Sequence, residues 1–343
     1  MTPTQSIRTN FAPTLEPVLP PAPRAAPSAP EPTTDHPVER GGGGPDRARL
    51  FASARATASG GDEATRKRRV DDAQAAFSPP YTIGGGTVRV PTQFRMQGGH
   101  NDNPDASLLR AVPKGSVTNG EFARLRAGRA TPDEIRKATQ LLIDGGHLPK
   151  TNEPIAKRVQ DMQWTYGIGI DCAGCVQQSL VMTSGKTAEE LGLKGVMLEN
   201  LSRLAHNPNF EQVDVRHARA GDVFVLGAPK PGDVGHTLLV AEHHVVKPGE
   251  LPKLRGVPED QVRAFCRPGS KVHVYALDAS WGGGDKPVGA GVRRDVWLHD
   301  ETTGQWACSH QDAEAEKPTR LAVSKLPYVD HPITGMFRVK GGS

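Results

Sequence analysis

The chain has 343 residues and a formal net charge of +4, with 36% hydrophobic and 5% aromatic residues. That length leaves room for two average domains or one large domain with a tail. No run of 18 apolar residues predicts a transmembrane helix, and four irregularly spaced cysteines do not make a disulfide framework. The basic residues are scattered apart from Arg66-Lys67-Arg68-Arg69, and no stripe of basic and aromatic residues marks a nucleic-acid groove, so no nucleic-acid partner is expected.

Of the 30 prolines, 11 precede residue 46, and the first 75 residues contain only Phe11 and Phe51 as aromatics. Such a stretch buries too little apolar surface to offset its ordering entropy. Residues 1–80 are therefore expected to form a disordered Pro/Ala/Gly-rich leader, and 81–343 a folded domain with its core at about 155–340. Within the leader, 45–77 has helical composition but a weak apolar face, which allows a marginal or partner-induced helix at most. The start has no apolar h-region, so the chain is expected to be made in the cytoplasm without a secretory signal peptide.

From residue 81 the pattern predicts short extended segments around Tyr81-Thr82-Ile83 and Thr87–Val90, then a loop over 97–120. A helix follows, with Thr131 as N-cap, Pro132 at its first position, Glu134 completing a capping box and Gly145 past its end. Ile135, Ala138 and Leu142 give it one buried face. Further helices are predicted at about 153–163, from Cys172 to Ser184-Gly185, and from the capping box Thr187–Glu190. After 213 the period changes to that of strands, at 222–226, 236–241, 272–278, 292–298 and 335–339. Helices first and strands second indicate an α+β domain with N-terminal helices packed on an antiparallel sheet.

The glycine-rich approach Gly167-Ile168-Gly169-Ile170-Asp171 ends at Cys172, which would place a thiol on the first turn of a helix. The partial positive charge there favours the thiolate. A nucleophilic cysteine also needs a base, and the base an orienting group. His236 opens an apolar strand, and Asp278 lies near the end of the next one. Either could equally be a surface or sheet-filling residue. Cys172-Ala173-Gly174-Cys175 is also a C-x-x-C, open to a redox, zinc or buried structural reading, although neither a preceding strand nor a second ligand pair is evident.

Tyr166-Gly-Ile-Gly-Ile-Asp171-Cys172-Ala-Gly-Cys-Val resembles the Tyr…Gly…Asp-Cys-Ser-Gly-Phe/Leu-Val motif of NlpC-type cysteine peptidases. Ala220-Gly221-Asp222 followed by Val-Phe-Val is similar to their Pro-Gly-Asp-Leu-Val-Phe strand, and Gly235-His236-Thr-Leu-Leu-Val to their Gly-His-Val-Gly-Ile-Tyr strand. Leu277-Asp278-Ala279-Ser280 stands where they have His-Ala-Ser. The resemblance spans roughly 155–285. Ala173 replaces the usual serine, and Cys175 the usual apolar residue. The resemblance implies a papain-like fold and hydrolysis of amide bonds, most often in peptidoglycan peptides, through a thioester and without a metal or other cofactor. Cys172 would be nucleophile, His236 base and then acid, and Asp278 orienter. Tyr166 would help bind the oxyanion, and Trp164 and Trp281 would line the substrate cleft. The long segment 243–270, with Cys266 in it, would cover or reshape that cleft.

Two further readings stay open. The Pro/Ser/Thr-rich leader is of the kind carried by effectors exported through specialised secretion systems. Such an effector would cleave, deamidate or acylate a host or competitor protein, and would meet a secretion chaperone or an immunity protein. The third reading is a non-catalytic binding module that keeps the motif only structurally.

Overall fold

The computed structural model describes residues 62–95, 106–193, 204–228, 235–282, 291–311, 318–327 and 331–341. The chain before residue 62 lies outside these, as does most of the expected leader. Residues 62–80, expected to belong to the leader, carry regular structure. Helix α1 (Glu63–Ala76) starts at an Asp62 cap that accepts the Thr65 N–H at 2.8 Å. Its sequence shows little amphipathicity because it buries only Val70 and Ala73, and polar contacts of Glu63, Lys67, Arg69 and Asp71 add to its docking. Phe77, just past the helix, is fully buried.

The hairpin β1 (Pro80–Ile83) and β2 (Gly86–Arg89) follows the extended segments read from sequence. The stretch 97–120, read as loop, instead carries α2 (Ala106–Ala111), and α3 (Asn119–Arg126) begins at its end. Thr118 and Glu121 form a full capping box at the start of α3. Helix α4 (Pro132–Asp144) has the expected Thr131 cap, Glu134 box and buried Ile135, Ala138 and Leu142. Then come α5 (Ile155–Thr165) and α6 (Cys172–Ser184). Thr187 and Glu190 exchange their capping hydrogen bonds at 2.7 and 3.2 Å, but around a turn rather than a helix.

The strands are β3 (Phe210–Val213), β4 (Val223–Leu226), β5 (His236–Val245), β6 (Val272–Trp281), β7 (Gly291–Asp300), β8 (Gln305–Gln311), β9 (Pro318–Ser324) and β10 (Ile333–Val339). They form one antiparallel sheet in the order β3-β10-β4-β5-β6-β7-β8-β9. In a flat sheet β4 and β8, four spacings apart, would be separated by roughly 19 Å. Yet the rings of Phe224 on β4 and Trp306 on β8 meet at 5.7 Å between centroids. The sheet therefore curls strongly. Its concave side is filled by Phe224, Leu238, Tyr275, Trp281, Trp297 and Trp306.

The convex side carries the helices. Ala173, Val176 and Leu180 of α6 and Val70 of α1 pack on Val223, Val225, Leu239 and Ala241. On its other flank α6 meets the helical layer through Cys175, beside Ile135, Leu142 and Met162. The 243–270 segment also belongs to the convex side. Its helix α7 (Glu259–Phe265) packs Val262 and Phe265 on Val272, Val274 and Leu298. That contact is at the start of β6, the end away from the cysteine turn, so the segment does not cover Cys172 as the sequence suggested. The mixed α+β class with helices on a large antiparallel sheet is thus established.

Candidate functional site

Close packing of backbone on backbone builds the cysteine turn. Asp171 caps α6, its Oδ1 accepting the Gly174 N–H at 2.6 Å, and Arg129 donates to the same carboxylate. Gln93 O accepts the Ile170 N–H, and Ile170 O accepts the Arg95 N–H, each at 3.0 Å. Ser280 at the far end of β6 donates its hydroxyl to Ile170 O at 2.6 Å, pinning the turn to the sheet. A Cβ on Gly169 would stand 2.4 Å from Gln93 O, and one on Gly174 2.1 Å from Gly128 O. Two glycines of the motif are therefore required by close backbone approach, whatever the cysteine does.

Cys172 takes the first position of α6 and is half-buried. The first-turn N–H groups of a helix have no intrahelical acceptors, and their partial charge favours an anion at this position. The other cysteines are held as thiols. Burial, with the Asp278 charge second, pushes Cys175 well above the usual thiol range. Burial raises Cys266 to about 11 and Cys308 to about 12.

The two expected partners, His236 and Asp278, face opposite sides of the sheet. His236 pairs with Leu226 and Thr237 with Val225 across β4 and β5. Leu226 belongs to the concave core and Val225 to the convex one. Since strand side chains alternate, His236 points into the concave side, away from the face on which α6 packs. Its ring meets Trp281 edge to face at 4.6 Å. Burial, then the fields of His331 and Arg293, lower its pKa to about 3, so the imidazole is neutral at physiological pH.

Asp278 pairs with Leu239 and lies on the convex face, opposite to His236. Its carboxylate takes two 2.7 Å hydrogen bonds from Arg294, whose third contact is Asp71 on α1 at 2.8 Å. Burial drives the Asp278 pKa up, with Arg294 working against that shift. Asp278 therefore ties α1 to the sheet and does not orient His236. Arg294 is the centre of that tie.

Tyr166 caps the end of α5 and shares a 2.9 Å hydrogen bond with His147 Nδ1, so its hydroxyl is engaged in the helical layer. Trp164 is half-buried on the last turn of α5. Trp281 is a concave core residue, 2% exposed, with the Arg293 guanidinium 5.0 Å from its ring centroid. Trp281 therefore lies in the concave core and not on the face that carries α6. The residue that the His236-Thr237 pair does present to the α6 face is Thr237. It is fully buried, and no described residue offers its Oγ1 a hydrogen bond. Once the fold places Leu239 on the α6 face, alternation puts Thr237 there too and turns His236 away.

No protein-family model matches the chain, and no curated protein or solved structure matches it. Among the described residues, no group of three or more His, Cys, Asp or Glu side chains is placed to hold a metal ion, and no helix is long and apolar enough to cross a membrane.

Proposed function

We propose that this protein is a thiol-dependent amidohydrolase with Cys172 as its nucleophile. One observation carries the reading: of the four cysteines, Cys172 alone combines a helix-start position with partial exposure. In this reading the sulfur attacks an amide carbonyl carbon, and first-turn N–H groups of α6 stabilise the resulting oxyanion. Collapse of that intermediate breaks the C–N bond, and the amine leaves with a proton taken from solvent. Water then hydrolyses the thioester, restoring the thiol. His236 and Asp278 face opposite sides of the sheet and are assigned no step in this reading; the field of the α6 N-terminus favours ionisation of the sulfur.

Peptidoglycan peptides are the first substrate class to test. A host or competitor protein reached through a specialised secretion system is the second. Sacculi digested with wild type and with Cys172→Ala, followed by fragment masses, separate them. Cys172-dependent release of muropeptides supports the first class. Inert sacculi together with Cys172-dependent toxicity in a foreign cytosol support the second. Activity that survives Cys172→Ala sinks the proposal.

A second reading, a non-catalytic binding module, is favoured by the placement of His236 and Asp278 on opposite sheet faces. It requires Cys172 to react with iodoacetamide near neutral pH no faster than an ordinary exposed thiol. Labelling at Cys172 well ahead of that rate, and ahead of Cys175, Cys266 and Cys308, rejects it.

A further inference from the structure

A pocket of about 100 Å³ lies at the opposite end of α6 from Cys172, between the last turn of that helix, α1, the approach to β4 and the end of β10. Five cationic side chains line it, Arg66, Arg69, Lys186, Arg219 and Arg338, against a single carboxylate, Asp222. The whole chain has a formal net charge of only +4, so this is a local concentration rather than a general property of the surface.

Some of that charge is committed. Arg338 holds the buried Asp222 through two 2.8 Å hydrogen bonds. Arg66 is bridged to Glu63, and Arg69 donates to Thr183 O at 3.5 Å. Arg219 and Lys186 are different. Both are half-buried, and no carboxylate among the described residues lies within 4 Å of either. The acidic groups whose fields reach Arg219 are Asp222 and Glu211, and they are opposed by Arg338 and Arg66. Burial and the Arg338 charge together lower the Arg219 pKa, which marks a crowded positive site. Holding like charges together in a half-buried pocket is unfavourable unless an anion joins them.

We infer that this pocket binds a phosphoryl group, with Arg219 and Lys186 as its principal ligands. Guanidinium forks suit tetrahedral oxyanions, and an ammonium adds a point charge. The volume is below the roughly 300–1,000 Å³ of sites that enclose drug-sized ligands. The pocket therefore takes a compact phosphate or the phosphorylated end of a larger molecule, with the remainder outside. Helix α6 has 13 residues, so the site lies about 20 Å from the thiol. It is independent of the function proposed for Cys172.

The test uses the full chain and two probes. Inorganic pyrophosphate is titrated by calorimetry, and phosphatidylcholine vesicles with and without phosphatidylinositol 4,5-bisphosphate are used in flotation. Saturable pyrophosphate binding alone assigns a soluble ligand, whereas flotation that depends on the phosphorylated lipid assigns a headgroup. In either case Arg219→Gln and Lys186→Gln should each weaken binding by about tenfold or more, while Arg263→Gln, on the exposed side of α7, should not. Lys186 follows the helix on a half-exposed turn, so that variant tests the site even if Arg219→Gln fails to fold. Absence of saturable binding to both probes overturns the inference. So does binding that both pocket variants leave intact, or that Arg263→Gln weakens equally.

Discussion

Replacing Arg294 by Met separates a structural Asp278 from a catalytic one. Asp278 is 3% exposed, and both its oxygens accept from Arg294. Removing the guanidinium leaves a buried carboxylate without its partner and also releases Asp71 on α1. Breaking a buried ion pair costs roughly 3–5 kcal/mol. Arg294 keeps 30% of its side chain exposed, so water partly replaces the lost charge and the expected loss is about 3 kcal/mol. In the variant, unopposed burial lifts Asp278 further above its unfolded value, so the folded state takes up a proton more readily. The penalty should then shrink as pH falls toward the carboxylate range and grow as pH rises above it. Arg294→Met/Asp278→Leu should recover most of the loss, because neither charge is then buried alone. Urea titrations at two pH values measure all of this. A loss under about 1 kcal/mol for Arg294→Met refutes the reasoning, as does a double variant no more stable than the single one.

The histidines give a second expectation. Folding holds His236 at about 3 and His243 at about 4, both lowered chiefly by burial from the ordinary 6.5. Their contribution is complete above pH 6.5, and it is lost as pH falls from there toward 4, because only the unfolded chain takes up the protons. Each fully shielded ring would give about 1.4 kcal/mol per pH unit; both keep part of their surface exposed, so about 1 kcal/mol per unit for the pair is expected. Urea midpoints between pH 6.5 and 5 check this, and a flat profile rejects it. Third, Gly174→Ala would gain about 1 kcal/mol from helix propensity alone, but its Cβ would stand 2.1 Å from Gly128 O. A net loss of about 2–3 kcal/mol is expected, and a neutral or stabilising outcome in thermal unfolding would show that the turn at Gly128 yields freely.

Most local elements could be read directly. The Thr131-Pro132-Glu134 signal, the helix from Cys172 to Ser184 and five strands appear close to their expected positions because caps and alternation are short-range effects. Helix α3 is equally legible through the Thr118–Glu121 capping box, which straddles the end of the 97–120 stretch read as loop. Helix α1 was hidden for a different reason. With only Val70 and Ala73 buried, it is stabilised by a partner surface rather than by its own pattern. Strands β8 and β9 lie beyond the segment that the family resemblance covered.

The sequence by itself determined that a thiol would start a helix and that a histidine would open a later strand. It could not determine which side of the sheet each would face. Side chains alternate along a strand, so the pairing of His236 with Leu226, set by distant partners, decides that Thr237 and not His236 meets the cysteine helix. The same alternation hands Asp278 to Arg294. The curl that encloses Trp281 and His236 on the concave side, and the gathering of Arg219 and Lys186 from separate segments, likewise exist only once the strands are paired and the helices packed.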